Sequence, residues 1–162
     1  MNKIAKKHKS QRGIIHTHNF YIAEMLIENC DSDVRRRLLF QKDFRNKTDM
    51  LEFHSKAADT ILIAPAMHEG IDLIGSLSRF QIVCKVPFPN QFEDKQLAVR
   101  MKEDPQFYEW LTALKLVQSV GRSVRSSDDW ADTYIVDSTF GWWYNKNKRM
   151  LPSWFKESVI MG

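Results

Sequence analysis

Short apolar runs alternate with amphipathic stretches along this chain, and the alternation predicts its secondary structure. Five runs have the length of β-strands, at residues 13–17, 37–41, 60–65, 81–86 and 133–137. Two of these runs are apolar at every position from Ile61 to Ala64 and from Ile82 to Cys84, which is typical of parallel strands covered on both faces. Four amphipathic stretches predict helices, at residues 20–29, 44–58, 92–102 and 106–126. This order predicts a three-layer α/β/α domain with a mainly parallel central sheet. Asn19 is a suitable N-cap for the first helix.

The longest predicted helix carries both an apolar seam and a separate polar face. The seam follows 3-4 spacing along Trp110, Ala113, Val117, Val120 and Val124. On a continuous helix Gln118, Arg122 and Arg125 stack at i, i+4 and i+7 on a neighbouring face, and Gly121 removes bulk beside them. Two permanent cations and an amide directed at one point suit a polyphosphate. We call residues 118–125 the arginine signature.

Loops that follow the strands are the other candidate sites, because parallel sheets bind ligands at the carboxyl ends of their strands. The loop at residues 64–75 follows the most apolar strand and carries an acidic signature, which consists of Glu69, Gly70, Ile71 and Asp72. Thr17, His18 and Asn19 follow the first strand. We expect these two loops to meet at one edge of the sheet.

Composition narrows the class of protein only modestly. The chain has 162 residues, enough for one core, and a net charge of +4 with a pI near 9.1, which is compatible with nucleic acid. Cys30 and Cys84 are too few for a four-ligand metal site and are expected to be reduced, which favours a cytoplasmic location. Residues 1–12 are basic without an apolar run behind them, which is not the pattern of a secretory signal. No segment has the length of a membrane span.

Two nucleotide-binding patterns are absent from the sequence. Nothing matches G-x-x-x-x-G-K-[S/T], the phosphate-binding loop, and nothing matches the D-E-x-[D/H] acidic pair that holds Mg²⁺. A domain that offers arginines without a phosphate-binding loop or a metal ligand cannot hydrolyse ATP alone.

The acidic signature and the arginine signature together resemble motifs V and VI of the superfamily 2 helicases, most closely the XPD/DinG-like DNA helicases. Segments at residues 13–19, 86–89 and 151–155 fit the same family. The resemblance covers residues 1–162 as one C-terminal RecA-like domain, a P-loop NTPase-like fold that lacks the P-loop, and it implies the second half of a two-lobed motor.

The resemblance also implies roles for the residues of the two signatures. The N-terminal RecA-like domain of the same polypeptide would bind most of the ATP and Mg²⁺, and this chain alone would hold no cofactor or metal. Arg122 and Arg125 would act as arginine fingers, with Gln118 in a supporting contact. The expected nucleotide-binding positions are Glu69, Gly70, Asp72 and Gly121. The expected contacts to single-stranded or fork DNA are Thr17, His18, Asn19, Met67 and His68.

Two other functions fit the same observations. A nucleic-acid-binding or regulatory module that kept the fold without the motor would equally lack the phosphate-binding loop, although the two arginines argue against it. An RNA helicase is a weaker alternative, because its contacts to 2′-hydroxyl groups cannot be read from sequence.

Several further features have a structural interpretation beside a functional one. His16 and His18 would share one face of a strand, as metal ligands can, but no third ligand is evident. The run at residues 35–37 is interpreted as a solvated basic edge. The aromatic residues at 142–144 and 154–155 are interpreted as packing rather than base stacking. Three carboxylates could pair with the signature arginines or cap the next turn: Asp128, Asp129 and Asp132.

Overall fold

A single parallel sheet forms the centre of the molecule. The structure is a computed structural model, and it describes residues 1–65, 73–90, 94–121, 123–124 and 129–161. The strands are β1 Gly13–His16, β2 Leu38–Phe40, β3 Ile61–Ala64, β4 Phe80–Val83 and β5 Asp132–Ile135. Their order is β2-β3-β1-β4-β5, and each pair of neighbours is parallel. All five predicted strands and the predicted parallel sheet are confirmed.

Helices cover both faces of this sheet. Those in the described part of the chain are α1 Asn2–Lys7, α2 Phe20–Glu28, α3 Ser32–Arg35, α4 Lys47–Lys56, α5 Lys95–Glu103, α6 Phe107–Val120, α7 Phe140–Asn147 and α8 Ser153–Ser158. The four predicted helices correspond to α2, α4, α5 and α6. Asn19 caps α2 as expected, because its side chain accepts a hydrogen bond from the Ile22 amide at 2.8 Å. Asn46 and Asp94 cap α4 and α5, which makes both helices begin later than predicted.

Alternate side chains of the strands face opposite layers, which gives the three-layer architecture its two cores. On one face Ile14 and Leu62 pack with Met50 of α4. On the other face Ile15 and Ile61 belong to the cluster that also contains side chains of α1 and α3. The predicted three-layer α/β fold is therefore confirmed.

Helix α6 ends earlier than predicted, and its buried seam differs from the expected one. The buried positions are Thr112, Ala113, Leu116 and Ser119, whereas Trp110 is 49% exposed. The prediction was wrong for Trp110, whose ring stacks on Phe107 at 5.8 Å and stays outside the core. Val117 and Val120 are only partly buried against the core.

Some of the C-terminal aromatic residues are buried in the core and others are exposed. Trp143 is fully buried, and its Nε1 donates a hydrogen bond to Glu109 Oε2 at 2.7 Å. Phe155 is 2% exposed in the same core cluster. The packing interpretation is confirmed for these two residues, but Trp142 and Trp154 are 65% and 51% exposed.

Candidate functional site

Strands β1 and β3 end side by side at the carboxyl edge of the sheet. Strands β1 and β3 are parallel neighbours, with His16 opposite Ala64. Beyond the strand, the Thr17 amide donates to the Ala64 carbonyl at 3.0 Å. The two loops therefore begin side by side, and the expectation that they meet stays a prediction because residues 66–72 lie outside the described residues.

The loop after β1 turns sharply and presents His18 to solvent. His18 has φ 74°, the left-handed region that costs a non-glycine residue energy. Thr17 is fully buried, and its hydroxyl donates to the Asn19 carbonyl at 3.1 Å. This geometry gives Thr17 a role in shaping the loop, while His18 and Asn19 are exposed beside the N-terminus of α2.

Positive charge gathers near His18. Burial lowers the pKa of His18 below its ordinary value, and the charges of Lys115 and Lys85 lower it further, while Asp137 opposes them. A lowered pKa keeps the imidazole neutral at physiological pH, so the two lysines provide the charge at this edge. Such an arrangement suits the phosphate backbone of a nucleic acid.

The prediction that His16 and His18 share one face is wrong. His16 lies in β1 and is 1% exposed, whereas His18 lies beyond the strand, where its positive φ breaks the alternation of side chains. In the portion of the chain that the structure describes, no group of three or more His, Cys, Asp or Glu side chains could hold a metal ion.

The start of the arginine signature lies near the opposite, amino edge of the sheet. Gln118 is exposed in the last turn of α6. The carbonyl oxygen of Val120 accepts a hydrogen bond from Gln81 Nε2 at 2.7 Å, and the same nitrogen donates to Thr133 Oγ1 at 2.8 Å. Gln81 and Thr133 are each the second residue of their strand, so the C-terminus of α6 lies over the beginning of β4 and β5.

The polar face predicted from Gln118 to Arg125 does not form as one continuous helix. Gly121 is the C-cap of α6, and Ser123 and Val124 lie outside the helix. A Cβ atom at Gly121 would stand 3.2 Å from the Val117 carbonyl oxygen, so glycine suits the tight end of the helix. Several predicted site residues lie outside the described residues: Met67, His68, Glu69, Gly70, Asp72, Arg122 and Arg125.

Ser123 connects the arginine signature to the stretch of chain that precedes β4. It is fully buried, and its Oγ lies 2.7 Å from Ser78 Oγ. Ser78 Oγ also donates to the Phe80 carbonyl at 3.2 Å, so Ser123 is the donor in the pair. Ser78 belongs to the stretch at residues 73–79 that joins the acidic signature to β4, which we call the crossover.

Asp129 makes a second connection to the crossover. Its carboxylate accepts hydrogen bonds from the Gly75 amide at 3.1 Å and from the Arg79 guanidinium at 2.7 Å. The Gly75 amide and then the Arg79 guanidinium hold the pKa of Asp129 below its ordinary value. Arg79 also lies over the Trp130 ring at 4.9 Å, which orders the chain after Asp129.

Pairing between the signature arginines and the following carboxylates stays a prediction, because Arg122 and Arg125 lie outside the described residues. Asp129 forms an ion pair with Arg79. Asp132 lies 3.6 Å from His8 Nε2 and 3.9 Å from Lys7 Nζ. Asp128 lies outside the described residues.

The interpretation of residues 35–37 as a solvated edge is wrong for Arg37. Arg37 is 9% exposed, and its guanidinium donates to main-chain carbonyl oxygens around the amino ends of β1 and β3. Arg35 and Arg36 are exposed as expected.

Sequence reasoning missed the residues that hold the arginine signature in place: Ser78, Arg79, Gln81 and Ser123. Gln81 did carry a signal, because a polar residue inside the apolar run of β4 needs a buried partner. The two serines carried none, because a single hydroxyl beside an arginine is ordinary on any exposed surface.

Comparison with known proteins identifies the family. A family model described as the helicase C-terminal domain matches residues 1–158. The chain therefore belongs to this family, and the resemblance to XPD/DinG-like superfamily 2 helicases is confirmed.

Individual relatives are much longer than this chain. It is 29% identical over 142 residues to the ATP-dependent DNA helicase chl1 of Schizosaccharomyces pombe, covering 73% of this chain and 16% of that protein. It is 28% identical over 126 residues to the Fanconi anemia group J protein homolog of Gallus gallus, covering 68% of this chain and 10% of that protein. The fold matches a solved structure of XPD in its apo form with a TM-score of 0.67 at 18% identity, over 91% of this chain and 32% of that one.

Two remaining observations concern the cysteines and the length of the helices. Cys30 and Cys84 are both free thiols, in agreement with the predicted reduced state. Of the helices that the structure describes, none is long and apolar enough to cross a membrane.

Proposed function

We propose that this chain is the C-terminal motor domain of an ATP-dependent DNA helicase. It would complete a nucleotide site whose other wall lies on an N-terminal RecA-like domain of the same polypeptide. Membership of the helicase C-terminal domain family supports the proposal, as do relatives that are named ATP-dependent DNA helicases. The chain spans only 16% of the first of them, which leaves ample length there for a second domain.

The observation that carries the proposal is the pair of attachments around Arg125. Ser123 and Asp129 lie on either side of this arginine in sequence, and both bind the crossover that follows the acidic signature. The segments that flank the two signatures are therefore neighbours at the amino edge of the sheet. A single ligand placed there could be served by both signatures.

In this proposal Arg122 and Arg125 stabilise the charge that develops on the transferred phosphoryl group. Gln118 adds a polar contact, and Gly121 leaves room for the ligand. Guanidinium groups suit this role because they hold their charge at every physiological pH and offer paired donors to phosphate oxygens. Gly70 and Asp72, together with Glu69, would contact the nucleotide or organise the interface between the two domains.

ATP and Mg²⁺ would be held mainly by the N-terminal domain. The described part of this chain offers no cluster of carboxylates that could bind the metal. The cofactor would supply the reactive phosphoanhydride, and the residues of this chain would neutralise charge and orient the nucleotide.

DNA would bind at the carboxyl edge of the sheet. His18 and Asn19 are exposed there at the N-terminus of α2, where free amides favour phosphate. Thr17 would shape the loop, and Met67 and His68 would extend the contact. Lys85 and Lys115 add positive charge, so binding should be salt-sensitive and independent of sequence. A change in grip as the cleft closes and opens would move the single strand.

Arginine substitution in the full-length protein tests the proposal. Arg122→Ala and Arg125→Ala should each lower DNA-stimulated ATP turnover by about 10³-fold or more, because the charge is needed in the transition state. Affinity for ATP and for single-stranded DNA should change far less. Arg149→Ala, at an exposed arginine near the C-terminus, is the matched control and should behave as wild type.

Two results would count against the proposal. Wild-type turnover in both arginine variants would exclude a catalytic role and favour a nucleic-acid-binding module. Equal losses of ATP binding and turnover would exclude a role confined to the transition state.

A further inference from the structure

The crossover at residues 73–79 is fastened to the body of the domain along one side. Arg12 donates to the Ser76 carbonyl from Nε and to Ser76 Oγ from a second nitrogen, both at 2.9 Å. His54 Nε2 donates to the Leu77 carbonyl at 2.8 Å. Leu73 is 1% exposed and packs in the core cluster with α4 and β3. Loops that open during function keep few such contacts, so this segment has the properties of a fixed element.

The other side of the crossover forms hydrogen bonds with Ser123 and Asp129, which lie on either side of Arg125 in sequence. The Ser78–Ser123 hydrogen bond is buried at both ends, since each residue is fully buried. The Asp129 side chain is 8% exposed and binds Gly75 and Arg79 at once. The buried hydroxyl pair is costly to separate, because separation would leave polar groups unpaired. The part-buried pair of Arg79 and Asp129 adds a charge-assisted hydrogen bond.

Both signatures lie close in sequence to these attachments. Arg122 directly precedes Ser123, so their Cα atoms are about 3.8 Å apart across a trans peptide. Asp72 precedes Gly75 by three residues, so their Cα atoms are at most about 11 Å apart. The attachments therefore lie within a few residues of the candidate nucleotide contacts on both signatures.

We propose that Ser123 and Asp129 are positioning residues for the nucleotide site, because they hold the chain on either side of Arg125 against the crossover. The inference rests on the proposed function. It adds that the contacts of Ser123 and Asp129 with the crossover stay closed during turnover.

A disulfide across the serine pair tests whether the two segments separate. Ser78→Cys and Ser123→Cys in one full-length protein replace oxygen atoms that lie 2.7 Å apart, a spacing that side-chain rotation can convert into a disulfide. We expect ready cross-linking, with oxidised protein that keeps DNA-stimulated ATP turnover within about twofold of its reduced form. The two single-cysteine variants control for oxidation of Cys30 and Cys84, which are free.

Either of two results with the disulfide would overturn the inference. Thiols that fail to cross-link would mean that the segments are not held together. A loss of turnover of about tenfold or more on oxidation, reversed by reductant, would mean that they must separate, since a constraint that blocks a required motion acts on kcat.

Asp129→Asn tests the positioning role by a second readout. The amide keeps the shape but loses the charge that holds Arg79, so kcat should fall about tenfold while KM for ATP changes less than about twofold. Asp132→Asn, in a neighbouring carboxylate that faces Lys7 and His8, should leave kcat unchanged. Wild-type kcat in Asp129→Asn would refute the positioning role. If Arg122→Ala and Arg125→Ala lose turnover in the same assay, the proposed function stands and only this inference fails.

Discussion

Arg37 ties together three parts of the chain that are distant in sequence. Its guanidinium donates to the carbonyl oxygens of Ala5 at 2.7 Å, His8 at 2.9 Å, Gln11 at 3.0 Å and Asp59 at 2.7 Å. These acceptors belong to α1, the segment before β1 and the turn before β3. Arg37→Met keeps much of the aliphatic volume and removes every donor.

The structure gives the expected cost of this substitution. A hydrogen bond to a charged group contributes about 1.5–3 kcal/mol, but bonds made by one group are not additive. Losing the group also leaves buried carbonyl oxygens without a partner, at about 1–3 kcal/mol each unless water replaces it. Since water can reach part of the site, we expect a net loss of about 3–5 kcal/mol in the free energy of unfolding.

Urea denaturation followed by tryptophan fluorescence measures this loss. The midpoint should fall with an unchanged m-value, and Tm should drop by about 10 °C for a domain of this size. Arg36→Met is the matched control, because Arg36 is exposed and surface substitutions usually change stability by less than about 0.5 kcal/mol. Equal stability of the two variants would refute the reasoning.

Two more predictions concern buried contacts near the amino edge. Gly13→Ala should cost about 1–3 kcal/mol of stability by overpacking, because its Cβ would stand 2.5 Å from the Phe80 ring. Gly141→Ala, with no atom within 4 Å of the new Cβ, should cost nothing, and equal urea midpoints for the two variants would contradict the packing. Burial lowers the pKa of His54 below its ordinary value of 6.5. Above pH 6.5 the ring is neutral and its contribution to stability is fully present. This contribution is lost as the pH falls from 6.5 through the lowered pKa, because the unfolded state binds the proton first. The urea midpoint of the wild type should therefore fall more than that of His54→Gln as the pH decreases below 6.5. Parallel pH profiles would exclude His54 as the source.

The elements of the sheet could be predicted because each strand is a short apolar run between polar turns. Uninterrupted apolar runs such as the one from Ile61 to Ala64 are found in strands covered on both faces, and the structure buries this run completely. Helix α2 was predictable for a different reason, since Asn19 is a local cap whose effect does not depend on the rest of the fold.

The incorrect predictions concern residues whose conformation or burial depends on tertiary contacts. Periodicity extended α6 through Gly121, but the Gln81 side chain binds the Val120 carbonyl and the chain then leaves the helix. Arg37 resembled its exposed neighbours, and only the fold shows that four carbonyl groups converge on it.

The candidate site was predictable only in part for the same reason. The acidic and arginine signatures can be read as local patterns, and the meeting of the first and third strand loops follows from a parallel sheet. The link between Asp129 and Gly75 joins residues 54 positions apart. No local pattern encodes such a pair, so the sequence suggested Asp129 only as a partner for nearby arginines or as a cap of the next turn.

Binding of ADP with aluminium fluoride, which mimics the transferring phosphoryl group, tests the central claim most directly. The measurement compares its affinity with that of ADP alone, in the full-length protein with and without Arg122→Ala and Arg125→Ala. If the guanidinium groups act on developing charge, each variant should lose about 10³-fold in affinity for the transition-state mimic while ADP binding changes less than about threefold. Unchanged affinity for the mimic in both variants would contradict the account.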